Sequence, residues 1–574
     1  MSTPSDVASV ELSIPELGTI TGLCFDHATS QYLGVPYGVV PGRFRRPQPA
    51  PAPWPNKTWD GTKVSPFPSQ PPRDFYPIPN PERPWVPPPS PATSATDCLS
   101  LNISVPSPPP VKPENGYPVM IFFHGGAFVY AAGGAPIYDG RMLSTISAGL
   151  GIPTIIISVN FRLGVYGFLA SKEIREYNAE HGEAGVGNYG LWDQVEALRW
   201  VQRHIAGFGG DPGRVTCFGQ SAGGVSTNVH LLRGEPLFSS AIIQSGLLPL
   251  CGVLSEEQYQ VIYDKLLDYL QIPKELSPRG RLQRLIETPE DALTAAMVPV
   301  FVTPVITISP CDDGVLVNGP MPKYADYANF AQQVPEWCKR IMIGDVANEC
   351  VIWNKAFRDL DAPAFVKRIR DFLKDDDKAD KLMSLYGIHD GMDRTEAFYK
   401  IEKFTTDGLY HAVDWLALKS FPEMYAYRFD VPSPFDNDWG GLAHHSLDNV
   451  YIWSLLDKHL PPKHRAVSAQ MSAAFLKFAS GVEPWERFDV GRRFMVFEED
   501  GGRLKSVEED AARGYERWEE IEKAGLINDF HDLTDELCMR HEEMCDPSAK
   551  PRAMEVKSFG ELGIRTRIRQ ADWS

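Results

Sequence analysis

Two periodicities alternate through the middle of the chain. Short continuous apolar runs fall at 118–124 (PVMIFFH), 154–159 (TIIISV), 214–218 (RVTCF), 240–244 (SAIIQ), 340–346 and 424–429. Each has the length of a strand buried on both faces. Between them lie stretches with helical spacing. Residues 190–205 place Leu191, Val195, Leu198, Val201 and Gln202 on one face, and helices are also expected at 363–387, around 463–480 and at 508–523. Strands alternating with helices predict an α/β fold: a central, mostly parallel, twisted sheet flanked by helices, with large loop and helical insertions. Residues 11–46 read as short strands and turns. Residues 47–113 are rich in proline, most densely over 47–96, which predicts a long irregular surface loop. The tail 545–574 is the least patterned part and is expected to pack loosely on the surface. There is no internal repeat and no clear linker, so 1–574 reads as one large domain with insertions.

Composition narrows the partners. With 43% hydrophobic and 23% charged residues the chain is an ordinary globular protein, and its net charge of −18 argues against nucleic acid or an anionic membrane surface. No segment offers about 18 uninterrupted apolar residues, so no membrane span is expected. The first residues lack the basic and apolar regions of a secretory signal, and the nine cysteines form no Cys-x-x-Cys or Cys/His zinc pattern. A cytoplasmic protein with free thiols and no metal is the expectation. Oligomeric state is not encoded in any pattern.

The chemistry begins at Gly219-Gln220-Ser221-Ala222-Gly223, which follows an apolar run and precedes a helix-prone stretch. Gly-x-Ser-x-Gly in that setting is the pattern of a nucleophile elbow, where a sharp strand-to-helix turn lifts a serine hydroxyl. The flanking glycines let strand and helix approach closely. On its own the motif is weak, because a plain turn has the same letters. A nucleophilic Ser221 needs three further parts. Phe122-Phe123-His124-Gly125-Gly126-Ala127-Phe128, a glycine pair just after an early strand, matches an oxyanion loop. Its donors would be the Gly126 and Ala127 amides, joined by Ala222 after the nucleophile. The acid must follow a later strand, and in Ile341-Met342-Ile343-Gly344-Asp345-Val346-Ala347-Asn348-Glu349 both Asp345 and Glu349 qualify. The base must lie downstream again, where His444 and His445 are adjacent. Spacing alone leaves both pairs open.

Together these residues resemble the type-B carboxylesterases, the carboxylesterase/cholinesterase family of the α/β-hydrolase fold, and are most similar to its fungal members. Phe208-Gly209-Gly210-Asp211-Pro212-Gly213-Arg214-Val215, leading into the elbow, resembles the family's serine signature, and Asp97-Cys98-Leu99-Ser100-Leu101-Asn102-Ile103 its second signature. Two internal blocks also match: Asn160-Phe161-Arg162-Leu163-Gly164-Val165-Tyr166-Gly167-Phe168, and Gly187-Asn188-Tyr189-Gly190-Leu191-Trp192-Asp193-Gln194. The likeness runs from about residue 15 to about 525. It implies Glu349 as the acid, five residues after Gly344. It implies His445 as the base, because Asp448 and Tyr451 follow at the family's places. It also implies that Ser245 stands near the acid.

Two departures stand out. Gln220 replaces the family's usual glutamate and removes a negative charge beside His445, which should leave that histidine easier to deprotonate. Cys98 stands at the family's disulfide position, yet the proline-rich loop holds no partner for it. The resemblance therefore implies a cofactor-independent serine esterase acting on a small ester with an apolar acyl or alcohol part. Walls would come from 66–95, 247–335 and 351–420, with Trp353, Phe357 and Tyr410 as candidate lining. An acyltransferase or tailoring hydrolase of a biosynthetic pathway would use the same triad. A non-catalytic binding protein on the same fold is the third option.

Overall fold

The computed structural model describes the chain except residues 1–6, 26–27, 73–91, 107–113, 234, 302–307, 319–320, 355–357, 359, 550–557, 563 and 565–574. The apolar runs form one twisted sheet. Its strands are β1 (Val7–Ile14), β2 (Gly18–Phe25), β3 (Thr29–Pro36), β4 (Ser100–Pro106), β5 (Tyr117–Phe123), β6 (Ile155–Val159), β7 (Gly210–Gln220), β8 (Ser240–Gln244), β9 (Arg340–Val346), β10 (Tyr425–Phe429), β11 (Arg493–Glu498) and β12 (Gly501–Ser506). The spatial order is β1-β2-β3-β4-β6-β5-β7-β8-β9-β10-β11-β12, and a thirteenth short strand, Thr58–Asp60, pairs with β2 off this path. From β6 to β11 every neighbouring pair is parallel. The N-terminal strands and the last hairpin are antiparallel.

The central parallel strands carry apolar residues on both faces because both faces are covered. Val119, Ile121 and Phe123 of β5 point into one buried cluster, while Met120 and Phe122 point into the other. Helices supply both layers: α1 (Arg141–Gly149), α2 (Tyr189–His204), α3 (Ala222–Arg233), α4 (Ala362–Leu373), α5 (Asp376–Tyr386), α6 (Arg394–Thr406), α7 (Ala412–Ser420), α8 (Leu447–Trp453), α9 (Pro462–Ala479), α10 (Tyr515–Lys523) and α11 (Ile527–Cys538). Among the described residues no helix is long and apolar enough to cross a membrane. Two of the blocks that carried the resemblance meet inside the core. The Arg162 guanidinium donates from Nε and Nη2 to Asp193 at 2.9 and 2.7 Å, and its Nη1 donates to the Arg45 carbonyl.

Four expectations are corrected. The helix at 363–387 is two helices, α4 and α5, because Lys374 turns left-handed at φ +51° and Asp375 caps the second one. The helix at 508–523 starts only at Tyr515, since Gly514 at φ +111° breaks it from a short turn at Ala511–Arg513. The proline-rich segment is not wholly irregular: Gln48–Pro49, Thr58–Asp60 and the Phe67–Pro68/Thr93–Ser94 pair are short strands, and Trp54 is buried. The tail is not loose throughout: Phe559 and Ile564 sit in a buried cluster with Val351, Phe398, Trp439 and Leu442, while Asp546 to Ser548 are exposed.

Candidate active site

Ser221 stands where β7 ends and α3 begins, with φ +57°. A β-substituted residue pays for that left-handed conformation, so the surroundings must hold it. They do so through backbone contacts: Ser221 N–H donates to Gln244 O at 2.9 Å, and its carbonyl accepts from Val225 N–H. The flanking glycines are needed sterically. A Cβ on Gly219 would lie 2.2 Å from Gly223 O, and one on Gly223 would lie 1.8 Å from Phe123 O.

The loop after β5 lies against this elbow. A Cβ on Gly125 would meet the Gln220 side chain and Ser221 Cβ within 3.0 Å. Gly126 adopts φ +109° and Ala127 φ +56°. Among the described residues the amides of Gly126, Ala127 and Ala222 donate to no backbone acceptor, the state expected of donors kept for an incoming oxyanion. Ala222 is the first residue of α3, so the helix dipole adds to its amide.

The loop after β9 supplies the carboxylate. Glu349 accepts the Val346 N–H on Oε1 at 2.9 Å and the His445 Nδ1–H on Oε2, a very short contact. Both side chains are essentially excluded from water. Asp345 faces elsewhere: its Oδ2 pairs with Arg428 Nη1 at 2.9 Å. His444 also turns away, with Nδ1 bonded to the His445 carbonyl, and burial pushes its pKa down to about 4. The structure thus brings Glu349, not Asp345, to His445, not His444. Trp353 and Tyr410 pack their rings 5.6 and 5.4 Å from the imidazole and bond each other through Trp353 Nε1 and the Tyr410 hydroxyl. Phe357 and part of the expected walls lie outside the described residues.

Two partners differ from the simplest picture. His445 Nε2 lies 3.0 Å from Gln220 Nε2 rather than on the serine, and the Ser221 hydroxyl makes no hydrogen bond among the described residues. Catalytic hydrogen bonds are often incomplete before substrate arrives. The Ser245 hydroxyl is buried and has no hydrogen-bond partner among the described residues, so it does not bond Glu349.

Sequence reasoning missed Asn348. Its N–H donates to the Ala443 carbonyl and its Oδ1 accepts the Ala443 N–H, which zips the acid loop to the histidine loop. Its Nδ2 donates to Glu402 at 3.1 Å. The available signal was only its position beside Glu349. Asp448, three residues past His445, accepts from Gln244 Nε2 and the Tyr427 hydroxyl, while burial raises its carboxyl to about 6.

Comparisons with known proteins identify the family. A family model described as "Carboxylesterase family" matches residues 7–519. The chain belongs to the carboxylesterase family. Lipase 3 of Yarrowia lipolytica is 26% identical over 86% of this chain and 93% of its own length. A carboxylic ester hydrolase of Gibberella moniliformis is 29% identical over 76% of this chain and 82% of its own. A solved PNB esterase superposes with a TM-score of 0.67 at 24% identity, covering 88% of this chain and 99% of that one, a likeness of fold. This carboxylesterase has the α/β-hydrolase fold and hydrolyses carboxylic esters, with small-molecule esters as its substrate class.

Proposed function

We propose that this carboxylesterase works through an acyl-enzyme on Ser221, with His445 as base, Glu349 as the acid that orients it, and the amides of Gly126, Ala127 and Ala222 as the oxyanion hole. The observation that carries the reading is the His445–Glu349 contact, which puts the imidazole proton on Nδ1 and leaves Nε2 free to accept at the elbow. In the first half-reaction the Ser221 oxygen attacks the ester carbonyl as Nε2 takes its proton. The three amides hold the charge that develops on the carbonyl oxygen, and the imidazolium returns the proton to the leaving alcohol. Water then attacks the acyl-enzyme by the same proton path and frees Ser221. Glu349 stays ionised and stabilises the cation.

Ser221→Ala should lower kcat on p-nitrophenyl butyrate by a factor on the order of 10⁴ or more and abolish labelling by a fluorophosphonate. Undiminished hydrolysis would exclude the serine. We further propose an apolar acyl or alcohol part in the substrate, on the apolar side chains packed around His445. A panel of esters with graded acyl length tests this: kcat/KM should rise with chain length before it falls, and a flat profile would count against it. Product analysis with added alcohols separates hydrolysis from acyl transfer.

A further inference from the structure

We propose that Gln220 is a positioning residue for the base: in the resting enzyme its amide donates to His445 Nε2, selects the Nδ1–H tautomer, and yields that nitrogen to Ser221 during the reaction. This rests on the Ser221 acyl-enzyme reading and adds a residue to it. Two nitrogens 3.0 Å apart hydrogen-bond only if one of them donates. A carboxamide nitrogen always donates, so His445 Nε2 must be the bare one. Its proton is then on Nδ1, where Glu349 accepts it.

The amide is held at its other end as well. Ser446 Oγ donates to Gln220 Oε1 at 2.9 Å. Gly125 of the oxyanion loop closes over the same oxygen, for a Cβ there would lie 2.8 Å from it. Gln220 is 1% exposed, so protein groups set its orientation. An amide N–H cannot face Nε2 once it has received the serine proton, so the contact favours the neutral ring that acts as base. A glutamate at this place cannot make it, having no proton to donate to the neutral ring.

The other titratable or charged groups facing His445 are Glu349 at Nδ1, Asp448 on α8, the neighbouring His444, and Tyr410, whose hydroxyl is bonded to Trp353. None of these donates to Nε2. The effect of Gln220 is therefore separable.

The test is the acidic limb of kcat/KM for p-nitrophenyl butyrate, measured for wild type, Gln220→Met and Gln220→Glu. Methionine has similar volume and no donor, so the neutral imidazole loses one hydrogen bond. The limb should move up by about half a pH unit. Glutamate adds an anion beside Nε2 and should move it up by roughly one unit or more. The order wild type, Met, Glu supports the proposal. A limb that stays put or moves down in Gln220→Met overturns it, even if Gln220→Glu fails to fold. A purely structural role would lower kcat at every pH without moving the limb. Fluorophosphonate labelling separates the two levels of inference. An active wild type that is never labelled at Ser221 sinks the acyl-enzyme reading, whereas labelled proteins with an unmoved limb sink only the role of Gln220.

Discussion

Ser221 and Gly126 both sit at positive φ, and both depend on what stands behind them. At Gly126 a Cβ would lie 2.3 Å from the Tyr130 carbonyl oxygen. Gly126→Ala must therefore shift the loop that carries two of the three proposed oxyanion donors. We expect kcat to fall by about 10²–10³-fold with a small change in KM, the signature of losing a donor used in the transition state. Steady-state kinetics on a chromogenic ester check this. A second residue-scale expectation concerns Glu402, whose carboxyl burial raises from 4.5 to about 7 while Thr406 and Asn348 donate to it. Between about 4.5 and about 7 the folded chain holds a proton that the unfolded chain has released. Stability contributed by this group therefore falls as pH rises through that window. Glu402→Gln removes the titration, so its Tm should gain on wild type from pH 4.5 to 7 and level off above. A constant Tm difference across that range would exclude this account.

At the scale of elements, the site is a meeting of four loop ends at the C-terminal ends of the parallel strands β5, β7, β9 and β10. The loops after β9 and β10 are joined by Asn348, which exchanges two hydrogen bonds with Ala443 and reaches Glu402 on α6. Asn348→Ala would leave the Ala443 N–H and one Glu402 oxygen without their partner. A loss of about 1–3 kcal/mol is expected, together with a fall in kcat larger than any rise in KM, because Glu349 and His445 would no longer be held in register. Thermal melts and kinetics on the same preparation measure both. The parallel strands were legible because an uninterrupted apolar run of strand length has one simple explanation in an α/β fold. The last hairpin and α11 were legible in principle as well. Phe494 to Phe497 is an apolar run before Asp500-Gly501, and Ile527, Phe530, Leu533, Thr534 and Leu537 fall on one buried helical face. The break between α4 and α5 was legible in the same way: the charged run Lys374 to Lys378 interrupts the apolar spacing, and Asp375 followed by two acidic residues is a helix-start signal.

Across the whole molecule, Phe559 and Ile564 of the C-terminal tail pack beside the loops that carry Glu349 and His445. The Phe559 ring packs tilted against Phe398 at 5.0 Å and lies under the Arg358 guanidinium at 4.3 Å, in one cluster with Val351, two residues past Glu349, and Leu442, three before His445. Phe559→Ala should therefore cost on the order of 2 kcal/mol or more and lower activity without touching the triad. Denaturant unfolding and labelling rates at Ser221 would show both. Sequence alone determined the layered α/β architecture and the elbow with its required glycines, and it marked a candidate oxyanion loop and candidate acids and bases. Each of these motifs is a local pattern written within a dozen residues. It left Asp345 against Glu349 and His444 against His445 open, and family likeness selected one of each. Tertiary structure supplied the physical reason. Asp345 is taken by Arg428 and His444 turns to backbone, while Glu349 and His445 meet across 96 positions of chain. It alone decided that Gln220 rests on the base and that Phe559 and Ile564 pack beside the loops. Those contacts join segments far apart in sequence, and no local pattern encodes which of several chemically suitable partners the folded backbone brings within reach.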